Sequence, residues 1–358
     1  MSDFTIEEMA IPAAPGDDGW DDFAAMVEVR NTVETAGYGT DELNYSAEEL
    51  LPGWTNQEYD PKRLFVARAD GRIVGRAVFE TQANAESDYV WLLVQVRPEC
   101  RRRGIGTALS DRLERLAVEE GRTTQVVYAV SPEAPGPRLP APTGFGSLPA
   151  DNPEVRFLRG RGYTLEQIER GSRLPLSDDL SELTRQFEVA SAVAGSDYAL
   201  HYWIDRSPPE WREDVALMYT RMSTDAPTAG IEEPEDVWTV ERLVTHEEAE
   251  AAGPRTTLAA AVEHRPSGRL AGFTELSVPA ELNRPVAQED TLVLREHRGH
   301  RLGMLLKTAN LLHLARERRG HPSVITFNAE ENRHMLDVNE AIGFIPMGYE
   351  GAWKRVAK

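Results

Sequence analysis

The sequence predicts an α/β (α+β) fold built twice, each copy a sheet flanked by helices. Three observations carry that prediction. An apolar, strand-like run, Tyr89–Val96, leads through Arg101-Arg102-Arg103-Gly104-Ile105-Gly106 into Thr107–Glu120, where Leu109, Leu113, Leu116 and Ala117 recur at helical spacing. A shift of 197 residues carries Arg101 onto Arg298 and Gly106 onto Gly303, and also Gly71, Arg72 and Gly75 onto Gly268, Arg269 and Gly272. One constant offset across a hairpin and a distant loop marks a duplicated domain and not a short-period solenoid. Strand-like and helix-like runs then follow in the same order in both halves.

In the first half, Phe4–Ile11 reads as an opening strand, and Trp20–Thr35 as a helix with Phe23, Met26, Val27 and Val33 among its apolar positions. Ser46 is placed to cap a second helix. Leu64–Arg68 and Ile73–Glu80 are strands around the Asp70-Gly71 turn, and Thr124–Val130 is a further strand of β-rich composition. Ser131–Ala150 holds six prolines and three glycines and reads as a loop insertion, a solvated flap or a lid. Pro153–Arg161 is helical and Tyr163–Pro175 β-like, closing a first domain at residues 1–175. Residues 176–195 form a connecting helix.

The second domain, residues 196–358, repeats the order. Ala199–Ile204 is a strand, Pro208–Met222 and Val240–Ala251 are helices, and Thr257–Val262, Leu270–Val278 and Thr291–Leu294 are strands. The second basic loop leads into a long helix ending near Gly320. Ser323–Phe327 is a strand, Glu331–Ile342 a helix and Tyr349–Val356 the last strand.

Composition narrows the function. The 358 residues suit two domains of ordinary size, and a hydrophobic content of 41% fits a globular class. No apolar run approaches the roughly 20 residues of a membrane helix, and the acidic N-terminus lacks a signal-peptide pattern. The single cysteine, Cys100, forms no internal disulfide, so the expected compartment is a reducing cytoplasm. A net charge of −20 argues against general nucleic-acid binding. Against that background Arg101-Arg102-Arg103 and Arg295, His297, Arg298, His300 and Arg301 stand out, because both clusters fall on the repeated loop.

A strand, a glycine-containing loop and a helix N-terminus make an anion site: backbone N–H groups point outward and the helix dipole adds partial positive charge. Glycines let a phosphate approach the backbone, and arginines add full charge. No Lys-Ser or Lys-Thr follows the glycines, which excludes a Walker loop, and the G-x-G-x-x-G fingerprint is absent. No His/Cys/Asp cluster has metal-ligand spacing, and no Gly-x-Ser-x-Gly elbow is present.

Arg101-x-x-Gly104-x-Gly106 after a strand ending in Val96-x-Pro98 resembles the acyl-CoA pyrophosphate loop of the GNAT N-acetyltransferases. The element order, run twice, and the ending Asn332–Phe344 with its Gly-Phe resemble a tandem GNAT protein across nearly the whole chain. The resemblance implies two GNAT-like domains, each a mixed, mostly antiparallel twisted sheet, and acetyl transfer from acetyl-CoA to a small-molecule amine without a metal. It implies no nucleic-acid or membrane partner and a monomer or homodimer. It places the cofactor against Val94, Val96, Arg101, Arg102, Arg103, Gly104, Ile105, Gly106 and Thr107 in the first half. In the second half the matching positions are Leu292, Val293, Arg298, Gly299, His300, Arg301, Leu302 and Gly303.

The halves differ in complementary ways. The first has the complete loop, whereas the second puts Arg301 in place of the first glycine. The preceding strand reverses the advantage: Trp91-Leu92-Leu93 carries nothing that titrates, while the equivalent run is Gln288-Glu289-Asp290. Glu289 and Asp290 are candidate bases, or else a strand end facing water. Asn328 and Asn332 would bond the cofactor chain or substrate, or cap the last helix. The family's acidic tyrosine is replaced by Leu158 in the first half and by Asn339 in the second, so Asn339 is a candidate only as a hydrogen-bond donor. Trp203, Trp211, Tyr219, Met222, Asp225 and Glu275 are candidates for a substrate wall. The preferred reading puts transfer in the second half. The alternatives are a non-catalytic acyl-CoA-binding scaffold and acetylation of a protein amine.

Overall fold

The computed structural model describes residues 3–83, 87–225 and 227–357. The first half runs β1 (Thr5–Glu8), α1 (Trp20–Tyr38), α2 (Ala47–Thr55), β2 (Lys62–Ala69), β3 (Arg72–Glu80), β4 (Tyr89–Val96), α3 (Ile105–Glu119) and β5 (Thr124–Val130). It continues through β6 (Arg138–Pro140), β7 (Ser147–Pro149), α4 (Pro153–Gly160) and β8 (Thr164–Pro175). A linking helix, α5 (Ser181–Ala194), leads to β9 (Tyr198–Ile204), α6 (Arg212–Asp225), α7 (Val240–Ala252), β10 (Thr256–His264), β11 (Arg269–Val278) and β12 (Val286–Val293). The chain ends with α8 (Leu302–Glu317), β13 (Ser323–Ala329), α9 (Arg333–Ile342) and β14 (Ile345–Val356).

Local chemistry explains several of these boundaries. Ser46 and Glu49 form a reciprocal capping box that starts α2. Thr239 caps α7 by accepting from the Arg242 N–H, and Asn332 caps α9 by accepting from Met335 N–H. The Pro-rich insertion, expected as a loop, contains the two-stranded ribbon β6–β7, because Leu148 and Ala141 are buried under it. The expected strand Thr291–Leu294 starts earlier, at Val286.

Twelve strands form one sheet in the order β1-β2-β3-β4-β5-β14-β8-β13-β12-β11-β10-β9. The two C-terminal strands are exchanged. β14 pairs with β5 of the first half, β8 pairs with β13 of the second, and β14 and β8 pair with each other. Trp353 of β14, fully buried, therefore sits in a first-half core with Leu148, Val155 and Leu165. Reciprocally, Leu174 at the end of β8 packs in the second-half core containing Phe344 and Leu311.

All neighbouring pairs are antiparallel except two. β4 and β5 run parallel only over Tyr89–Trp91 against Thr124–Val126, and β12 and β13 only at Val286 and Ala287 against Val324 and Ile325. Beyond these points the parallel strands part, so each half has one gap in its sheet, with gap-side backbone groups of β4 and β12 lacking a strand partner. Apolar cores lie on both faces: α3 packs on one face of the first-half sheet and α1 and α2 on the other. α6 and α7 cover one face of the second half, and α5 with α8 the opposite face.

Candidate functional site

The two basic loops share one backbone trace. In the first, a turn of 3-10 helix (Pro98–Cys100) is followed by Arg102 at φ 63° and Gly104 at φ 85°, the latter capping α3. In the second, a matching turn (Arg295–His297) is followed by Gly299 at φ 90° and Arg301 at φ 57°, which caps α8. The left-handed positions are thus the same, with glycine and arginine traded between them. Arg101 Nε donates to the Val96 carbonyl at 3.2 Å, and Arg298 Nε to the Val293 carbonyl at the same distance. Each helix start presents backbone N–H groups without an intrahelical acceptor, those of Ile105, Gly106 and Thr107 in one half and of Leu302 and Gly303 in the other.

Charge separates the loops. Among the described residues no ion pair ties Arg102 or Arg103. In the second loop Arg295 and Arg298 bracket the Asp225 carboxylate at 3.0 and 2.9 Å. His297 receives or gives a hydrogen bond with Tyr198 Oη at 3.0 Å, and His300 lies against the same ring. Burial and the neighbouring His264 push His297 below the usual imidazole range. The cofactor residues expected in the strands also reach the gaps: Val94 and Val96 lie on β4 past Trp91, Leu292 and Val293 on β12 past Ala287.

The second half departs from the first at β12. β11 and β12 are in register at Thr274–Thr291 and again at Leu276–Gln288, so Glu289 and Asp290 together oppose Glu275. This is a β-bulge, which re-aims side chains at sheet positions. β3 and β4 pair without a register shift. Buried hydrogen bonds pin the bulge: Gln288 Nε2 donates to the Glu275 carbonyl at 2.6 Å and to Thr274 Oγ1 at 3.0 Å, and the Thr274 and Thr291 hydroxyls are 2.7 Å apart.

The bulge opens into a cleft of about 480 Å³ walled by Tyr219, Met222, Trp238, His246, Glu247, Glu275, Glu289 and Asp290. Tyr219 stacks on Trp238 at 4.5 Å and donates to Glu275 Oε2 at 2.5 Å. Burial, with Asp290 and other acids nearby, pushes the Glu275 carboxyl up to about 8. Burial and then Asp290 raise Glu289 to about 7, and burial raises Asp290 to about 6. Glu289 is an exposed residue on the cleft wall and Asp290 is half-buried, yet the protein packed around the Glu289 carboxyl still desolvates it. The Tyr219 hydroxyl is held well above its ordinary range by burial and Glu275, so it remains a proton-bearing donor at neutral pH.

Of the sequence candidates, Tyr219, Met222, Glu275, Glu289 and Asp290 meet at this cleft. Trp203 and Trp211 pack in the core beneath it, and Asp225 belongs to the loop. Asn339 is 1% exposed and donates to Asn328 Oδ1 at 2.7 Å, and Asn332 caps α9, so these three do not join the cleft wall. Sequence reasoning missed Trp238, just before the cap of α7, and His246, Glu247 and Glu250, which α7 itself delivers. It also missed a pair at the seam: Glu169 of β8 faces Glu350 of β14 in register, and burial raises both, helped by Glu233 and Glu331 at Glu169 and by Glu169 and Glu34 at Glu350. Tyr38 Oη donates to Glu350 Oε2 at 3.3 Å. The first-half cleft itself, about 450 Å³, is lined by buried Arg76 with Trp54, Trp91 and Tyr128. Among the described residues no helix is long and apolar enough to cross a membrane, and no group of three His, Cys, Asp or Glu has a metal-holding arrangement.

Comparison with known proteins agrees with this architecture. Residues 26–134 match the model of the Acetyltransferase (GNAT) family. No curated protein matches the chain by sequence. A tandem GNAT protein from the clavulanic acid biosynthesis pathway, solved without acetyl-CoA, superposes with a TM-score of 0.75 at 24% identity, covering 99% of both chains. A GCN5-related N-acetyltransferase from Sphaerobacter thermophilus gives 0.62 at 14% identity, covering 100% of this chain and 98% of its own. The chain therefore carries a GNAT acetyltransferase domain over residues 26–134 and has, over its full length, the fold of a tandem GNAT protein.

Proposed function

We propose that this protein is an acetyl-CoA-dependent N-acetyltransferase that acetylates the amine of a small molecule in the second-half cleft, and that it works in the cytoplasm. The observation that carries the reading is the bulge, which turns two carboxylates of raised pKa into a cleft beside a sheet gap and a helix N-terminus. The parted strands and the loops fit the cofactor: Leu292 and Val293 would hold its chain, and the N–H groups of Leu302 and Gly303 with Arg298, Gly299, His300 and Arg301 its phosphates. Bound there, acetyl-CoA supplies the activated acyl group.

The chain's own residues handle protons. An acceptor amine enters as an ammonium and must lose a proton before it attacks, so a base is needed within reach. Glu289 and Asp290, whose pKa values of about 7 and 6 lie near neutrality, suit that task better than a carboxylate of ordinary pKa. Asp290 and Glu289 also repel, so once one is ionised the other holds its proton more firmly. The Tyr219 hydroxyl remains a donor in the same cleft.

A second reading has one observation behind it. The first loop keeps both family glycines and unpaired arginines, while its strand brings no acid, so the first half would hold acyl-CoA without transferring from it. Thiol release from acetyl-CoA, followed with a panel of small amines, tests the main reading. Turnover with at least one amine is expected; intact acetyl-CoA binding with no turnover on any amine would leave a cofactor-binding scaffold.

A further inference from the structure

The acidic side chains on the wall of the second-half cleft outnumber its basic ones, with no lysine or arginine among its described lining residues. Four of the acids already accept hydrogen bonds, Glu275 from Tyr219 and Glu247 from the Ser207 N–H among them. Asp236 accepts from Trp238 Nε1 and from Arg242, and Asp205 accepts from the Thr257 N–H. Glu247, Glu250, Glu275, Glu289 and Asp290 have no ion pair among the described residues. His246, the one basic side chain among the described residues of the wall, is pushed below the usual imidazole range by burial.

Glu247 makes the imbalance specific. It is 9% exposed; one carboxylate oxygen accepts from the Ser207 N–H at 2.9 Å, and the other, Oε2, has no hydrogen-bond partner. A buried carboxylate oxygen left unpaired is costly, and a donor brought in by a ligand removes that cost. The aromatic flank offers no substitute. Tyr219 stacks on Trp238 and Arg242 lies over the same ring at 4.2 Å, so the tryptophan faces are taken and the aromatics act as a fixed apolar side.

We infer that the acceptor taken by this cleft is a dication: one amine delivered to Glu289 and Asp290 for acetylation, and a second ammonium or guanidinium group held by Glu247 with Glu250. This rests on the reading that the second-half cleft binds the acceptor. A second charge would serve the reaction. The reacting nitrogen loses its proton before attack and ends as a neutral amide, so only a distant cation can hold the molecule electrostatically throughout. The ammonium gives one proton to a carboxylate, the neutral amine forms the C–N bond as the thioester C–S bond breaks, and the second N–H proton goes to the departing thiolate, which leaves as free thiol.

Calorimetry of the full chain with 1,4-diaminobutane and with 1-aminobutane, at pH 7.5 and low salt, tests this directly. The diamine is expected to bind at least about tenfold more tightly and to lose affinity more steeply with added NaCl. Glu247→Gln should cut diamine affinity about tenfold and leave the monoamine unchanged. Because Glu247 also caps the Ser207 N–H, Glu250→Gln serves as a second variant, and a thermal melt checks that each is folded. Equal affinity for the two amines, or binding of neither, overturns the inference. Thiol release that proceeds equally well with monocationic or neutral amines also overturns it while leaving the proposed activity standing. Preferential diamine binding with no thiol release on any amine upholds the dication site and removes the activity.

Discussion

Arg301 shows how much one residue changes without changing the backbone. It occupies the left-handed position that Gly104 occupies in the first half, with φ of 57° against 85°. A Cβ at Gly104 would meet nothing within 4 Å, so what glycine relieves there is dihedral strain and not crowding. Gly104→Ala should therefore cost about 1–2 kcal/mol, read from urea denaturation, with no rearrangement of α3. Gly272 is the opposite case. A Cβ there would lie 2.6 Å from the Leu292 carbonyl oxygen, so the glycine shared with Gly75 marks close packing between neighbouring strands.

The acids of the cleft set two pH dependences with known sign. Glu289 and Asp290 accept a proton only when ionised, so the rate should rise with pH through about 6 to 7, as their values of about 7 and 6 require. Glu275 has a folded pKa of about 8 against an ordinary 4.5, so its contribution to stability is present below about 4.5 and lost as pH rises through 8. Glu275→Gln, which keeps an acceptor for Tyr219, should flatten the fall of melting temperature over that range. An unchanged slope would place the titrating group elsewhere. These residues were partly legible in the sequence, since acids within an apolar strand are out of place. Glu247 and His246 were not legible, because a helix with many glutamates gives no sign of which one turns inward.

At the scale of elements, the bulge in β12 decides which half has an acidic cleft. Without the extra residue, Glu289 and Asp290 would simply alternate across the sheet; with it, both face Glu275. Gln288 holds this arrangement through buried hydrogen bonds to the Glu275 carbonyl and Thr274. Gln288→Ala should cost about 1–3 kcal/mol in stability, because it strands those partners, and lower the turnover rate with little effect on acetyl-CoA affinity. A loss confined to acetyl-CoA affinity would contradict that role. The sequence showed the strand from Thr291 onward and the polar run before it. It did not show the bulge, since a bulge depends on the partner strand's register, which no local pattern carries. The Pro-rich insertion was similarly half visible: its turns were plain, but the ribbon depends on burying Leu148 beneath it.

At the scale of the whole molecule, the exchanged strands make each half dependent on the other. β14 completes the first-half sheet, and its Trp353 is fully buried there. Trp353→Ala should destabilise the protein by about 3–5 kcal/mol, and a melt should show the halves losing structure together. Two separate transitions, with the loss confined to one half, would show that the halves are independent. The duplication was legible as a constant offset, and so was the element order. The exchange was not, because the local sequence of a last strand is the same whether it returns to its own half or crosses to the other.

The central claim is that the acids of the β12 bulge act on the acceptor proton in the second-half cleft. Its most direct test is the rate of thiol release by Glu289→Gln and Asp290→Asn, each measured at saturating acetyl-CoA alongside the acetyl-CoA dissociation constant. At least one variant should lose about a hundredfold or more in rate with cofactor affinity retained. Normal turnover in both would contradict the claim and move the chemistry out of this cleft.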